Sequence, residues 1–277
     1  MAKDDFFVDF SKDALRRNAC EVGSHPHAWN SPPIYNLTSD DMLFHPYLFE
    51  YPEDVIREKL KVLTGLLEDV FERKMQSHRA GRWGFNAVSA RILAEFGYKV
   101  DCSVTPYIKW NVEARPPSDP PCPNLDFRNF PNEAYFPDGE DISRSGSLPI
   151  LEIPVSLIPD YGRFLGGAYS ILPEFFRRNI RFFFGRPVKW FRPHRIHREM
   201  MKVAKVKLCE KSDYIMFMIH SSELMPAGSP NFRNTQDIEN MYAQIEEAFQ
   251  YLADHGVEAA TCYEYYQHFT SRVGTQT

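Results

Sequence analysis

An α/β fold with a parallel sheet is what this sequence predicts, on three observations. Short apolar runs alternate with segments of helical period, the runs end in polar or turn-forming residues, and 277 residues suit one large domain spanning 1–277. Strand-like runs stand at FFVDF (6–10), EVGSH (21–25), MQSHRAG (75–81), YKVDCSV (98–104), PILEIPVSL (149–157), PVKWF (187–191), YIMFMIH (214–220) and VEAATCY (257–263). Two helices are plainly written between them. In YPEDVIREKLKVLTGLLEDVFERK, Ile56, Leu60, Leu63, Leu67 and Val70 recur at helical spacing, with Pro52 in the first turn and Glu53 and Asp54 at the positive end of the dipole. In TQDIENMYAQIEEAFQYLADHG, Ile238, Tyr242, Ile245, Phe249 and Leu252 share a face, Thr235 is the expected N-cap, and Gly256 suits the left-handed stop. Residues 105–148, dense in Pro, Asp and Asn, read as a long loop insertion, the kind of segment that walls a binding cleft.

The composition narrows the classes of function. At 43% apolar and 25% charged, the chain has ample material for a core. Its 14% aromatic content fits either a groove for flat ligands such as sugars or plain core packing. A net charge of −5 argues against nucleic acid as partner, although RFFFGRPVKWFRPHRIHR is locally basic. Cys20, Cys102, Cys122, Cys209 and Cys262 form no CxxC pair, which argues against a disulfide framework and for a reducing compartment. MAKDDFFVDF lacks a signal-peptide layout, and arginines break the most apolar run, FFRRNIRFFF. A cytoplasmic protein with no membrane span is expected; no oligomeric state is written in the sequence.

Four strand ends carry chemistry. His25 and His27 in EVGSHPHAWNSPP are i and i+2 on a strand end, so their side chains share a face. They can ligate a divalent metal, or one can cap a turn while the other faces solvent. In SHRAGRWGFN, Arg79 can hold a carboxylate or a substrate oxygen with two prongs, or either Arg79 or Arg82 can be a surface ion pair. In VDCSVTP, Asp101 is ligand, orienting acid or loop cap. His220, ending YIMFMIH before Ser221 and Glu223, is a general acid or base or a satisfied structural histidine.

The four pieces stand in the order H-x-H, R-A-G-R-W-G, D-C-S-V-T-P and H-S-S-E-L-M-P. That order resembles the polysaccharide deacetylases of the NodB-homology superfamily, from about residue 6 to the C-terminus. The resemblance implies a distorted (β/α) barrel of about seven strands with its site at the C-terminal strand ends. It implies a hydrolase removing acetyl groups from an acetylated carbohydrate with a divalent metal, zinc being the expected one. His25 and His27 would be metal ligands; His220, Arg79 and Asp101 catalytic; Trp29, Arg82, Trp83, Ser221 and Glu223 in contact with the sugar. Trp29 occupies the place of the second histidine in the commoner family pattern, and His27 serves in its stead.

FFVDF takes the place of the family's second strand, so the first strand, with its acidic motif and catalytic base, is expected to be missing. Asp4 and Asp5 read as part of a disordered, solvated N-terminus. Glu223 or Asp101 could replace the base. Two other functions fit the same residues: a catalytically inactive carbohydrate-binding barrel, and a glycoside hydrolase using Glu152 and Glu223 at about 5–9.5 Å.

Overall fold

The computed structural model describes residues 2–110, 125–159, 173, 188–195 and 199–274. The middle of the long loop, with Cys122, and most of the basic run at 181–198 lie outside these residues. The chain gathers into two compact units. The first comprises Met1–Val104, Lys109–Pro154 and Ala259–Thr277, the second Thr105–Ile108 and Val155–Glu258.

The first unit is built on a parallel sheet of β1 (Ser77–His78), β2 (Val100–Asp101) and β5 (Leu151–Glu152), in the order β1-β2-β5. Ser77 pairs with Val100 and Val100 with Leu151; His78 pairs with Asp101 and Asp101 with Glu152. EVGSH lies beside β1 through one parallel bridge, Ser24 to His78. Helices α1 (Asp5–Arg16), α2 (Asp41–Phe44), α3 (Glu53–Phe71) and α4 (Ala87–Glu95) belong to this unit. Its core joins Ile56 and Leu60 of α3, Ile92 and Leu93 of α4, Tyr98 and Ile150, each at most 2% exposed. Burial at this level stabilises by roughly 1.5–3 kcal/mol for each large apolar side chain.

Helix α1 replaces the strand expected at FFVDF. Asp4 caps it by accepting from the Phe7 amide at 2.9 Å, so that carboxylate is structured and not part of a disordered tail. Phe7 packs edge-on against Phe71, and Ser11, Ala14 and Leu15 complete a buried face at helical spacing. A five-residue apolar run cannot distinguish the two periods; the residues after it decide. Helix α3 forms as expected, with Pro52 at the N-cap, one place before the first turn. Two parts of the long loop form ladders, one of its own and one on the sheet. Strands β3 (Lys109–Trp110) and β4 (Leu125–Asp126) pair antiparallel, and Tyr135 exchanges both backbone hydrogen bonds with Glu152.

VEAATCY is likewise not a strand. It leads into helix α7 (Cys262–Gly274), opened by a reciprocal cap in which the Thr261 amide donates to Glu264 Oε2 at 2.7 Å and the Glu264 amide to Thr261 Oγ1 at 3.2 Å. The signal, T-x-x-E, was present in the sequence.

In the second unit, β6 (Leu157–Pro159) pairs antiparallel with β7 (Val188–Trp190), and α5 (Glu199–Glu210) and α6 (Thr235–Asp254) supply the core around Phe191, Val203, Ala204 and Ala248. YIMFMIH enters no ladder; the Met216 amide donates to Ser156 Oγ and that of Met218 to Phe191 O. Asn234, not Thr235, caps α6 by accepting from the Asp237 amide. The buried face of α6 is Ile238, Met241, Gln244, Ala248 and Leu252, while Tyr242 and Phe249 stay 49% and 43% exposed. Small Ala248 lets the helix approach its neighbours, and Phe249 lays its ring on Phe191 and Phe217 from the flank. Gly256 has φ +77°, the left-handed stop expected of it. Among the described residues, no helix is long and apolar enough to cross a membrane.

Candidate active site

The register of the parallel sheet sets His78, Asp101 and Glu152 side by side across three strands. His78 Nδ1 meets Asp101 Oδ1 at 2.5 Å. The Ser103 amide donates to Asp101 Oδ2 at 2.8 Å and the Ser103 hydroxyl to Oδ1 at 2.9 Å. Asp101 is 0% and Glu152 1% exposed, so two carboxyls share a dry core. Like charges at such range cannot both ionise. Burial, then the charge of Asp101, pushes the Glu152 carboxyl well above its usual range. Asp101 goes the other way: burial opposes its charge, but hydrogen bonds led by that from His78 hold it below the ordinary value. One proton therefore sits on Glu152, and Asp101 is the anion. His78 Nε2, on the far side of the ring, has no hydrogen-bond partner among the described residues.

At the exit of β1 the imidazole pair is held from the main chain. His25 Nδ1 lies 2.7 Å from Arg79 O. A carbonyl only accepts, so in the neutral ring the proton is on Nδ1 and the lone pair on Nε2. The protein packed around the ring lowers the His25 pKa to about 4 by desolvation even though the residue keeps an exposed edge, opposed by that carbonyl and reinforced by His27, His78 and Arg79. The His27 ring stands edge-on to it with centroids 4.8 Å apart, and Trp29 follows at 4.6 Å from His27. Their loop is clamped from beneath by Lys59, 0% exposed, whose Nζ donates to Ser31 O at 2.8 Å and Pro33 O at 2.7 Å. Ser31 Oγ in turn accepts from the His27 amide. Gly81 lies so near that a Cβ there would come within 2.7 Å of His27 Nδ1 and 2.5 Å of Pro26 O.

Arg79 and Arg82 each cover an indole. The Arg82 guanidinium carbon is 5.2 Å from the Trp29 ring and that of Arg79 5.6 Å from Trp83, while Trp83 stacks on Trp110 at 6.3 Å. Arg79 Nε also donates to Cys102 O. Arg82 and Trp83 take φ of +51° and +64°, two successive non-glycine residues in the left-handed region. Such conformations cost of order 1–3 kcal/mol each and persist where surrounding structure over-determines them.

The second unit holds its own dyad. His220 is exposed, and its Nδ1 lies 3.5 Å from Glu223 Oε2. The same oxygen accepts from the His220 amide at 3.1 Å and from the Arg192 guanidinium. Burial opposes the Glu223 charge, yet His220 and Arg192 bring its pKa down to about 2. Ser221 and Ser222 follow His220 on the surface.

Of the residues singled out in the sequence, His25, His27, Trp29, Arg79, Arg82, Trp83 and Asp101 fall in the first unit, and His220, Ser221 and Glu223 in the second. Asp101 is buried, and its carboxylate meets His78 and Ser103. Glu152 and Glu223 are 1% and 3% exposed, one protonated in a core and one in an ion pair, and neither presents a carboxyl to solvent. His78 and Lys59 were not singled out. The histidine was legible as a polar residue inside a strand, beside Arg79; the lysine lies on the apolar face of α3, where its position was the signal. Among the described residues, no three His, Cys, Asp or Glu gather as a metal-holding group.

No family model matches the chain, and neither does any curated protein. Among solved structures, it is similar to a Mycobacterium smegmatis protein provisionally described as a polysaccharide deacetylase, at 15% identity and a TM-score of 0.33, over 86% of this chain and 68% of that one.

Proposed function

We propose that this protein is a metal-dependent hydrolase that removes acetyl groups from an acetylated carbohydrate, on a distorted (β/α) barrel. One observation carries the reading: a pre-oriented, neutral imidazole at 25, paired with His27 and followed by Trp29, whose indole the Arg82 guanidinium faces. Aromatic faces suit the apolar side of a sugar ring, and Arg82 can donate to its hydroxyls or acetyl oxygen. A bound divalent cation, zinc foremost, would polarise the acetyl carbonyl and supply a water of lowered pKa. His25 and His27 offer two donors toward it, one short of the three protein ligands usual in catalytic zinc sites. Arg79 O fixes the His25 ring, and Lys59 and Ser31 fix the loop that carries His27. In the second unit, His220 is held by Glu223, a pairing with the chemistry of a general acid or base.

The test is acetate release from N- and O-acetylated oligosaccharides by the purified chain loaded with zinc. Release that chelator abolishes and His25→Ala removes is expected. No release from either substrate class, with sugar binding indifferent to chelator, would establish the second reading, an inactive carbohydrate-binding barrel.

A further inference from the structure

At the opposite strand ends from the imidazole pair, the first unit holds a cavity of about 370 Å³, a size at which small-molecule sites begin. Glu21 and Val22, which line it, stand ahead of the Ser24 bridge, and Met75 and Gln76 stand ahead of β1. Leu15 and Phe71, from the ends of α1 and α3, join Met75 as an apolar wall, each at most 6% exposed. The opening turn of α7 supplies Tyr263. We propose that this cavity binds a free amino acid with a large apolar side chain, its ammonium on Glu21 and Gln76 and its carboxylate on Arg73.

Charge and hydrogen bonding favour a zwitterion. The Tyr263 amide donates to Glu21 Oε2 at 2.9 Å, which fixes the carboxylate against α7. The other oxygen, Oε1, is buried and meets no donor among the described residues, and neither does Gln76 Oε1. Buried acceptors in that state are destabilising, and a ligand with several N–H groups in one place relieves both. An ammonium has three such donors and a charge opposite to that of Glu21. The main chain holds Gln76 in place, its carbonyl accepting from the Lys99 and Val100 amides at 2.8 and 3.0 Å. Two cations line the same cavity. Lys74 donates to Glu68 Oε2 at 2.5 Å, whereas Arg73 is exposed, and its fork of donors suits a carboxylate. The apolar wall takes the side chain. A plain amine would leave Arg73 unused, and a plain carboxylate would meet Glu21 with like charge.

The experiment follows the Met75 methyl group by NMR in the full-length chain labelled at its methionine methyls, the resonance being identified by its loss in Met75→Leu. L-phenylalanine, phenethylamine and 3-phenylpropionate are titrated in turn. Phenylalanine at millimolar concentration is expected to shift the Met75 resonance, with an affinity about tenfold or more above that of either analogue. Glu21→Gln and Arg73→Met should each weaken phenylalanine binding about tenfold or more. The comparison of the three compounds on the unsubstituted chain decides the matter even if a variant fails to fold. A Met75 resonance unmoved by phenylalanine, an analogue that binds as tightly, or full affinity retained in either folded variant would overturn the proposal.

Discussion

His25 donates its Nδ1 proton to the main-chain oxygen of Arg79 at 2.7 Å, so a ring from one segment is oriented by the exit of the neighbouring strand. The folded ring titrates at about 4 against 6.5 for an unperturbed histidine. The folded state thus binds fewer protons than the unfolded one between these values, and stability falls as pH drops from about 6.5 to about 4. Urea midpoints against pH should show this slope reduced in His25→Asn; an unchanged slope would mean that His25 titrates normally.

Glu152 is protonated and Asp101 is not, so their amides should behave differently. Glu152→Gln keeps a neutral donor and an acceptor for the Val104 amide, and is expected to cost under about 1 kcal/mol. Asp101→Asn removes the anion facing His78 and Ser103 and should cost about 3 kcal/mol or more. Chemical denaturation of both variants makes the comparison, and equal costs would refute this placement of the proton.

Lys59→Met leaves two buried carbonyls, Ser31 O and Pro33 O, without their donor. A loss of about 2–4 kcal/mol is expected in denaturant melts. Because Ser31 also receives the His27 amide, the proposed deacetylation should fall as well in the folded fraction.

Gly81→Ala sets a methyl group within 2.7 Å of His27 Nδ1 and 2.5 Å of Pro26 O. Displacement costing about 1–3 kcal/mol is expected. If the proposed site holds zinc, its affinity for that ion, measured by competition with a chromogenic chelator, should drop more than tenfold. Unchanged affinity would remove His27 from the ligand set.

Glu223→Gln breaks an ion pair whose arginine is itself largely covered. A cost of about 3 kcal/mol is expected at neutral pH. In the unsubstituted chain, the Glu223 contribution is whole above its ordinary pKa of 4.5 and is lost as pH falls through about 2. Acid unfolding of the variant should therefore lack that component.

Helical spacing made α3 and α6 legible, and the alternation of runs marked Ser77–His78, Val100–Asp101 and Leu151–Glu152 as sheet. At 6–10 and 257–263 it misled, because a short apolar run has no period of its own and the deciding signals were a capping aspartate and a T-x-x-E box. Local order determined which side chains leave the same strand end, as His25 and His27 do. It could not say that His78 would stand beside Asp101, or that Glu152 would hold the proton between them. Those facts depend on register between strands 23 and 51 residues apart, and on how much water their packing excludes. Charge state in a core is set by desolvation and neighbours, and both are properties of the fold, which no segment of the chain contains by itself.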